Sequence, residues 1–394
     1  MKTVKLIISV IFISLLSGCW NYNELNNLAI ITGVSIDKSE SGYTMTYMIS
    51  NSSQGDSKSN SNQASTVLYE GNGNTLTSAS ENINQKLPKT PYLGHAEVIV
   101  ISEEVAKENM INVMDFFLRN PESRKEIYVL ISKSSKAKDT LSILTPLESF
   151  PSSNIKSNIE AAENEVSSTY TIKYSEFLAQ LIEQGIEPVL GVIEVEGNVE
   201  EGQTQESNDK SKQDAVIKLV SSAIFKNDKL IYITDSKESS AINTLNKNFN
   251  NIYIETKCNN GKIVTNITSI ELKTDIKVEN GTPKVTVNAG GTGSLIEVNC
   301  EKDLENTKVI DEIKKNVDEE LQNFLYKGIN VAKKYKTDIF GFGNMLYKKN
   351  PKYWNNVKDR WNDEMLPNLI VEINSDINLE NKGSLQQTIK GEMK

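Results

Sequence analysis

One change of pattern constrains this chain more than any other feature. Up to residue 196, short apolar runs alternate with stretches of helical periodicity; from residue 215 on, long runs alternate apolar and polar side chains. The runs Glu97-Val-Ile-Val-Ile101 and Glu126-Ile-Tyr-Val-Leu-Ile131 are continuously apolar, as strands buried on both faces are. Between and around them, Leu76, Ala79, Ile83 and Leu87 recur at helical spacing, as do Tyr174, Phe177, Leu178, Leu181 and Ile182. Such alternation predicts a mixed α/β unit with helices packed on a sheet. Past residue 215 the residues 252–258, 262–278 and 285–300 read as three consecutive antiparallel strands, joined through Asn259-Asn-Gly261 and Asn280-Gly281 turns. Ile310, Ile313, Val317, Leu321, Phe324 and Leu325 then mark one face of a long helix over 306–335, and a strand is expected at 369–379 and another at 385–389. The chain therefore reads as multi-domain, α+β and mixed α/β, with sheets flanked by helices. Its C-terminal half is largely an antiparallel sheet with a long amphipathic helix.

Between the two patterns lies GNVEEGQTQESNDKSKQD, residues 197–214, with Val199 as its one apolar residue. Such a composition cannot support a core, so an exposed linker is expected here. It would divide an N-terminal α/β domain, 19–196, from a C-terminal α+β domain, 215–394. The first of these has a further candidate division near 145–151. Residues 51–65 are similarly polar and are expected to form a flexible loop.

The first residues, MKTVKLIISVIFISLLSGC, combine Lys2 and Lys5, an apolar run over 6–16, and small residues leading to Cys19. That order is a secretory signal. The run is about a dozen residues, too short for a hydrocarbon core that requires about twenty. Leu16-Ser17-Gly18-Cys19 has the form of a lipobox, in which the thiol receives diacylglycerol before cleavage. Residues 1–18 are thus expected to be removed, Cys19 to be lipidated, and two acyl chains to hold the body at a membrane. Removing Lys2 and Lys5 with the signal leaves 41 basic against 52 acidic side chains, a net charge of −11. So acidic a body is not expected to bind nucleic acid, or an anionic lipid surface, through general electrostatics.

With Cys19 acylated, Cys258 and Cys300 remain. Placed at one end of three adjacent strands, they would stand two strand spacings apart, roughly 9–10 Å. A disulfide requires Cα atoms within about 7 Å, so the pair is expected to be unbonded. His95 is the sole histidine, at a strand entry, which leaves little room for nucleophilic or zinc chemistry. The glycine clusters Gly71-Asn-Gly73, Gly290-Gly-Thr-Gly293 and Gly341-Phe-Gly343 match no phosphate-binding loop. No cofactor or metal is therefore expected. Arg119-Asn-Pro-Glu-Ser-Arg124 reads either as a carboxylate clamp or as a corner in which arginine caps the helix and pairs with Glu122 or Glu126. Near the chain end, Lys348, Lys349, Lys352, Tyr353, Trp354 and Trp361 form a basic, aromatic stretch. It reads as a partner-docking patch or, for the tryptophans, as core.

These motifs together resemble the Ger(x)C family, the lipoprotein C subunit of spore germinant receptors. The resemblance runs through Cys19-Trp20-Asn-Tyr-Asn-Glu24-Leu25, Leu28-Ala-Ile-Ile-Thr-Gly33, Gly94-His95-Ala-Glu-Val-Ile-Val-Ile-Ser and Asp115-Phe-Phe-Leu-Arg119-Asn-Pro121-Glu-Ser-Arg124. It continues through Pro188-Val189-Leu190, Ala223-Ile-Phe-Lys-Asn-Asp-Lys229-Leu230, Asp338-Ile-Phe-Gly341-Phe-Gly343, Pro351, Trp354, Trp361 and Lys382-Gly383. Asn344, where an acid is common, and the insertion at 51–65 depart from the pattern. The resemblance implies a non-enzymatic, lipid-anchored receptor subunit on the outer face of the spore inner membrane. Its implied partners are an A subunit and a polytopic B subunit, and its implied role is in nutrient-triggered germination. Only Cys19 carries over as a functional residue. A competing reading, a solute-binding lipoprotein of a transporter, would call for two similar lobes around a cleft; the halves here are unlike.

Overall fold

A computed structural model describes residues 24–51, 64–165, 169–246, 251–259 and 261–381. Two sheets organise them. The first has ten strands, in the order β10-β9-β8-β6-β5-β1-β2-β3, with β4 pairing β1 and β7 pairing β6 at its margins. Its strands are β1 (Leu28–Ser39), β2 (Gly42–Ser50), β3 (Thr66–Gly73), β4 (Thr90–Tyr92), β5 (Val98–Ser102), β6 (Tyr128–Ser132), β7 (Ile172–Lys173), β8 (Val189–Gly197), β9 (Ala215–Lys226) and β10 (Lys229–Ile233). Strands β1, β5, β6 and β8 run parallel, so their starts share one end of the sheet. Helix α1 (Leu76–Asn84) follows β3; α2 (Glu103–Glu108) and α3 (Met110–Arg119) cross from β5 to β6; α4 (Ala137–Thr140) follows β6. Then come α5 (Pro151–Glu165) and α6 (Tyr174–Ile182). Every residue of β5 and β6 is buried, as their unbroken apolar sequences require. Ile99, Ile101, Val129 and Ile131 join one core, while Val98, Val100, Tyr128 and Leu130 join another across the sheet.

The linker expected at 197–214 is corrected by the strand register. Gly197 pairs with Ala215, and β8 and β9 run antiparallel from there. The segment between them is an excursion from a paired hairpin, closed by Asn198 N–H donating to Asp214 O at 2.9 Å. It contains two short helices, α7 (Val199–Gly202) and α8 (Gln205–Asn208), whose N-caps are Asn198 and Thr204. Composition misled here because short polar side chains cap helices as readily as they decorate a linker. The first sheet consequently extends past this segment to Ile233.

The second sheet has the order β11-β12-β13-β14. Strands β11 (Asn251–Cys258), β12 (Gly261–Glu279) and β13 (Thr282–Val298) are antiparallel, and β14 (Ile370–Asn381) lies parallel to β13. Helix α10 (Thr307–Tyr335) buries Ile313, Val317, Leu321, Leu325 and Ile329, five of its inward positions. Helix α9 (Ser236–Asn246) packs against it through a close approach of Gly328 to Ala241 and Ile242. The strand expected at 385–389 falls outside the described residues.

The expectation for the cysteines is also overturned. Cys258 and Cys300 form a disulfide, with Cα atoms 6.2 Å apart. The spacing argument failed because residues 299–300 do not stay in the line of β13. Asn299 N–H donates to Lys262 O at 2.8 Å, which draws the chain across the β11–β12 turn. Gly261 permits this: a Cβ there would meet Asn299 O at 2.2 Å.

Candidate docking surface and the junction beneath it

The stretch after α10 folds as α11 (Phe342–Lys349), α12 (Pro351–Val357), a 3-10 turn and a single π-helical turn at Trp361–Met365. At its centre is Asp338, fully buried. Its carboxylate accepts from Phe342 N at 3.0 Å, Gly343 N at 2.6 Å and Trp361 Nε1 at 2.7 Å. Burial raises its pKa to about 6, against the opposing pull of those donors. The Asp338 carbonyl accepts from Glu187 N at 2.8 Å, and Asn344 N donates to Gly185 O at 2.9 Å. Asn344 Nδ2 reaches Gln184 O at 2.9 Å, and Trp354 Nε1 reaches Gln184 Oε1 at 3.2 Å. Glu187 in turn accepts from Asn227 N at 2.6 Å and Asn362 Nδ2 at 2.9 Å, and burial raises its pKa as well.

This polar interlock joins α11 and the π-helical turn to the corner before β8. It closes because Gly185, at φ +72°, has no side chain: a Cβ would lie 2.5 Å from Asn344 N. Sequence reasoning missed both Asp338 and the corner at 184–187. A signal was present in Asp338 standing just ahead of Gly341-Phe-Gly343, where an acid meets the free N–H groups of a helix start.

The structure divides the expected docking residues into two groups. Trp354 and Trp361 are only 3% and 1% exposed and meet edge-to-face with ring centroids 5.6 Å apart. They are therefore core, and neither lies on a docking surface. Each indole N–H also finds an acceptor, as a buried tryptophan requires: Asp338 for Trp361 and Gln184 Oε1 for Trp354. Tyr353 is half-buried and donates to Gly281 O at 2.7 Å. Lys348 is exposed and pairs with Glu183 at 3.1 Å; Lys349, also exposed, pairs with Asp275. Lys352 is exposed and has no ion-pair partner among the described residues. Tyr347 is 39% exposed beside them. From residue 326 to 360 the sequence holds nine Lys or Arg, with Asp338 and Asp359 the two acids, and Asp338 is buried. A stretch rich in lysine thus lies over the buried indoles of an otherwise acidic protein, with Lys348 and Lys349 paired to Glu183 and Asp275.

Other candidates from the sequence are placed as follows. Arg119 Nε donates to Asp115 at 2.7 Å, an exposed pair one helical turn apart, so neither Glu122 nor Glu126 is its partner. It lies on a cleft of about 540 Å³ with Tyr43, Asn74, Asn112 and Phe116. His95 is exposed, with its ring 5.7 Å from that of Tyr92. Cys19 lies outside the described residues. Among the described residues no three metal-binding side chains cluster, and no helix is long and apolar enough to cross a membrane.

Against known families, the model described as "Spore germination protein N-terminal domain" matches residues 21–195. The model described as "Spore germination B3/ GerAC like, C-terminal" matches residues 220–383. The fold and the two matches define a class, the spore germination proteins, and the chain belongs to their GerC-type family. It is 26% identical to Spore germination protein KC of Bacillus subtilis (strain 168), over 100% of this chain and 99% of that protein. It is 24% identical to the putative spore germination protein YfkR of the same strain, over 98% and 99%. The crystal structure of the GerBC protein shares the fold, with a TM-score of 0.54 and 17% identity over 89% of this chain and 97% of that one. The family models meet between residues 195 and 220, where the sequence pattern changes, although the first sheet runs through that point.

Proposed function

We propose that this protein is the lipid-anchored C subunit of a germinant receptor, acting as a docking scaffold in nutrient-triggered germination rather than as an enzyme. The observation that carries the reading is the ordered match of both germination-protein models along almost the whole chain. The lipobox ending at Cys19 supports the anchor. Diacylglycerol on that cysteine would hold the body on the outer face of the spore inner membrane, beside the A and B subunits. Tethering raises the effective concentration of such neighbours, so interfaces of modest area suffice. The exposed Lys348, Lys349 and Lys352 form the docking face, and a partner with an acidic surface matches it.

Two variants test this reading in spores. Cys19→Ala should abolish labelled-palmitate incorporation and release the protein from membranes; retention with undiminished label rejects the anchor. Replacing Lys348, Lys349 and Lys352 together with Glu should leave circular dichroism unchanged and abolish co-purification with the other subunits. Normal assembly and normal germination in that variant would reject the docking face.

A further inference from the structure

We infer that the strand-start end of the first sheet faces the bilayer, with Leu25 and Val67 seated in the lipid interface and Lys89 at headgroup level. The inference rests on acylation of Cys19. That residue stands five positions before Glu24, where the described chain begins. Five residues reach at most roughly 18 Å, so an anchored chain must bring Glu24 within that distance of the membrane. The chain enters the body through a 3-10 turn at Leu25–Asn27 and continues directly into β1.

What lies at this entry is apolar. Leu25 is 69% exposed and Val67 is 42% exposed. Beside them is a groove of about 190 Å³, lined by Leu28, Ile49, Val67, Leu87, Pro88 and Lys89. Strand pairing gathers these residues: Leu28 lies beside Thr90, and Ile49 beside Val67. Single exposed apolar side chains are ordinary, but this group sits within reach of a short lipid tether. Lys89 is exposed on the groove and has no ion-pair partner among the described residues, leaving its ammonium free for phosphate oxygens. A second observation agrees in direction. Because β1 and β8 are parallel members of one sheet, the corner before β8 lies at the same end as Leu28, and that corner carries the basic helices α11 and α12. The orientation that seats Leu25 therefore also brings Lys348 and its neighbours to the bilayer side, where membrane-embedded subunits are accessible.

The test uses full-length lipidated protein in vesicles of phosphatidylcholine and phosphatidylglycerol. Val67→Cys and, as control, Tyr253→Cys on β11 each carry an environment-sensitive NBD label. Tyr253 is 53% exposed on the other sheet. The expected result is a blue-shifted emission at position 67 and quenching by brominated lipid severalfold greater than at position 253. Equal quenching at both positions, or none at 67 in protein that sediments with the vesicles, overturns the orientation and leaves the anchor standing. Protein that fails to sediment with the vesicles despite an intact Cys19 overturns the anchor, and the orientation with it. Lys89→Cys serves as a second label, should the circular dichroism of the Val67 variant change.

Discussion

The two sheets differ in how many of their faces are covered. In the first, β5 and β6 are buried at every position, because crossover connections place helices on both sides. In the second, β11 alternates buried and exposed without a break, because two-residue hairpin turns supply no second layer. Helix α10 covers one face. The other face is open and is held by side-chain pairs such as Thr268 with Thr292 at 3.1 Å, Asn374 with Asn288 at 3.0 Å and Lys284 with Glu372 at 2.6 Å. Connection type thus decides whether a strand reads as a continuous apolar run or as an alternating one. The interlock around Asp338 is one joint between the two halves; Tyr232 stacked on Tyr335 and Thr337 Oγ1 donating to Phe225 O at 2.6 Å are others.

Breaking that interlock should have the largest effect. Trp361→Ala removes a fully buried indole and one donor to Asp338, and should cost about 3–5 kcal/mol by chemical denaturation. A cost below about 1 kcal/mol would mean that the indole and its bond to Asp338 contribute little to holding this joint closed. The contrast between the sheets is sharpened by single truncations. Ile101→Ala in β5 should cost about 2–5 kcal/mol, since both faces of that strand are packed. In β13, Val287→Ala should cost about 2 kcal/mol, whereas its exposed neighbour Asn288→Ala, which loses only its pair with Asn374, should cost about 1 kcal/mol or less. Equal losses at residues 287 and 288 would mean that the second sheet is also covered on both sides. Replacing Cys258 and Cys300 with Ser should lower stability by about 2–4 kcal/mol, since the bond closes a span of 42 residues. The loss should appear in melting curves as an earlier transition of the second sheet.

The last prediction concerns pH. Burial holds the Asp338 pKa near 6, above the unfolded value of 3.8. The folded state therefore keeps a proton that the unfolded state releases. This contribution is fully present below about pH 4 and is lost as pH rises through about 6. Asp338→Asn should flatten the stability profile across that window, by a difference of order 1–3 kcal/mol between its ends. Parallel profiles for variant and wild type would place the titration on another group.

Much of the fold was legible in the residues themselves. Continuous apolar runs marked β5 and β6, Asn280-Gly281 marked a hairpin, and the stripe from Ile313 to Leu325 marked α10. These features are local, and periodicity reports them. The basic, aromatic stretch over 347–361 was legible only in part. Its lysines are exposed as charge implies, but Trp354 and Trp361 gave no local sign of which way they face. The polar segment at 197–214 misled for a related reason: its composition excludes a core of its own but does not exclude capped turns between paired strands.

By itself, then, the sequence determined the type of the long, strongly patterned elements, the change of pattern between the halves, the acidic balance and the lipobox-like order of residues leading to Cys19. Tertiary structure decided what depends on distant residues meeting. The Cys258–Cys300 bond exists because Gly261 lets residues 299–300 cross a turn. The pairing of β8 with β9 carries the first sheet past residue 214. Asp338 is buried because Trp361, 23 residues on, and the corner at 184–187, about 150 residues back, close around it. Hydrophobic pattern is a property of neighbours along the chain, whereas close approach and burial of a charge are properties of segments that only the fold brings together.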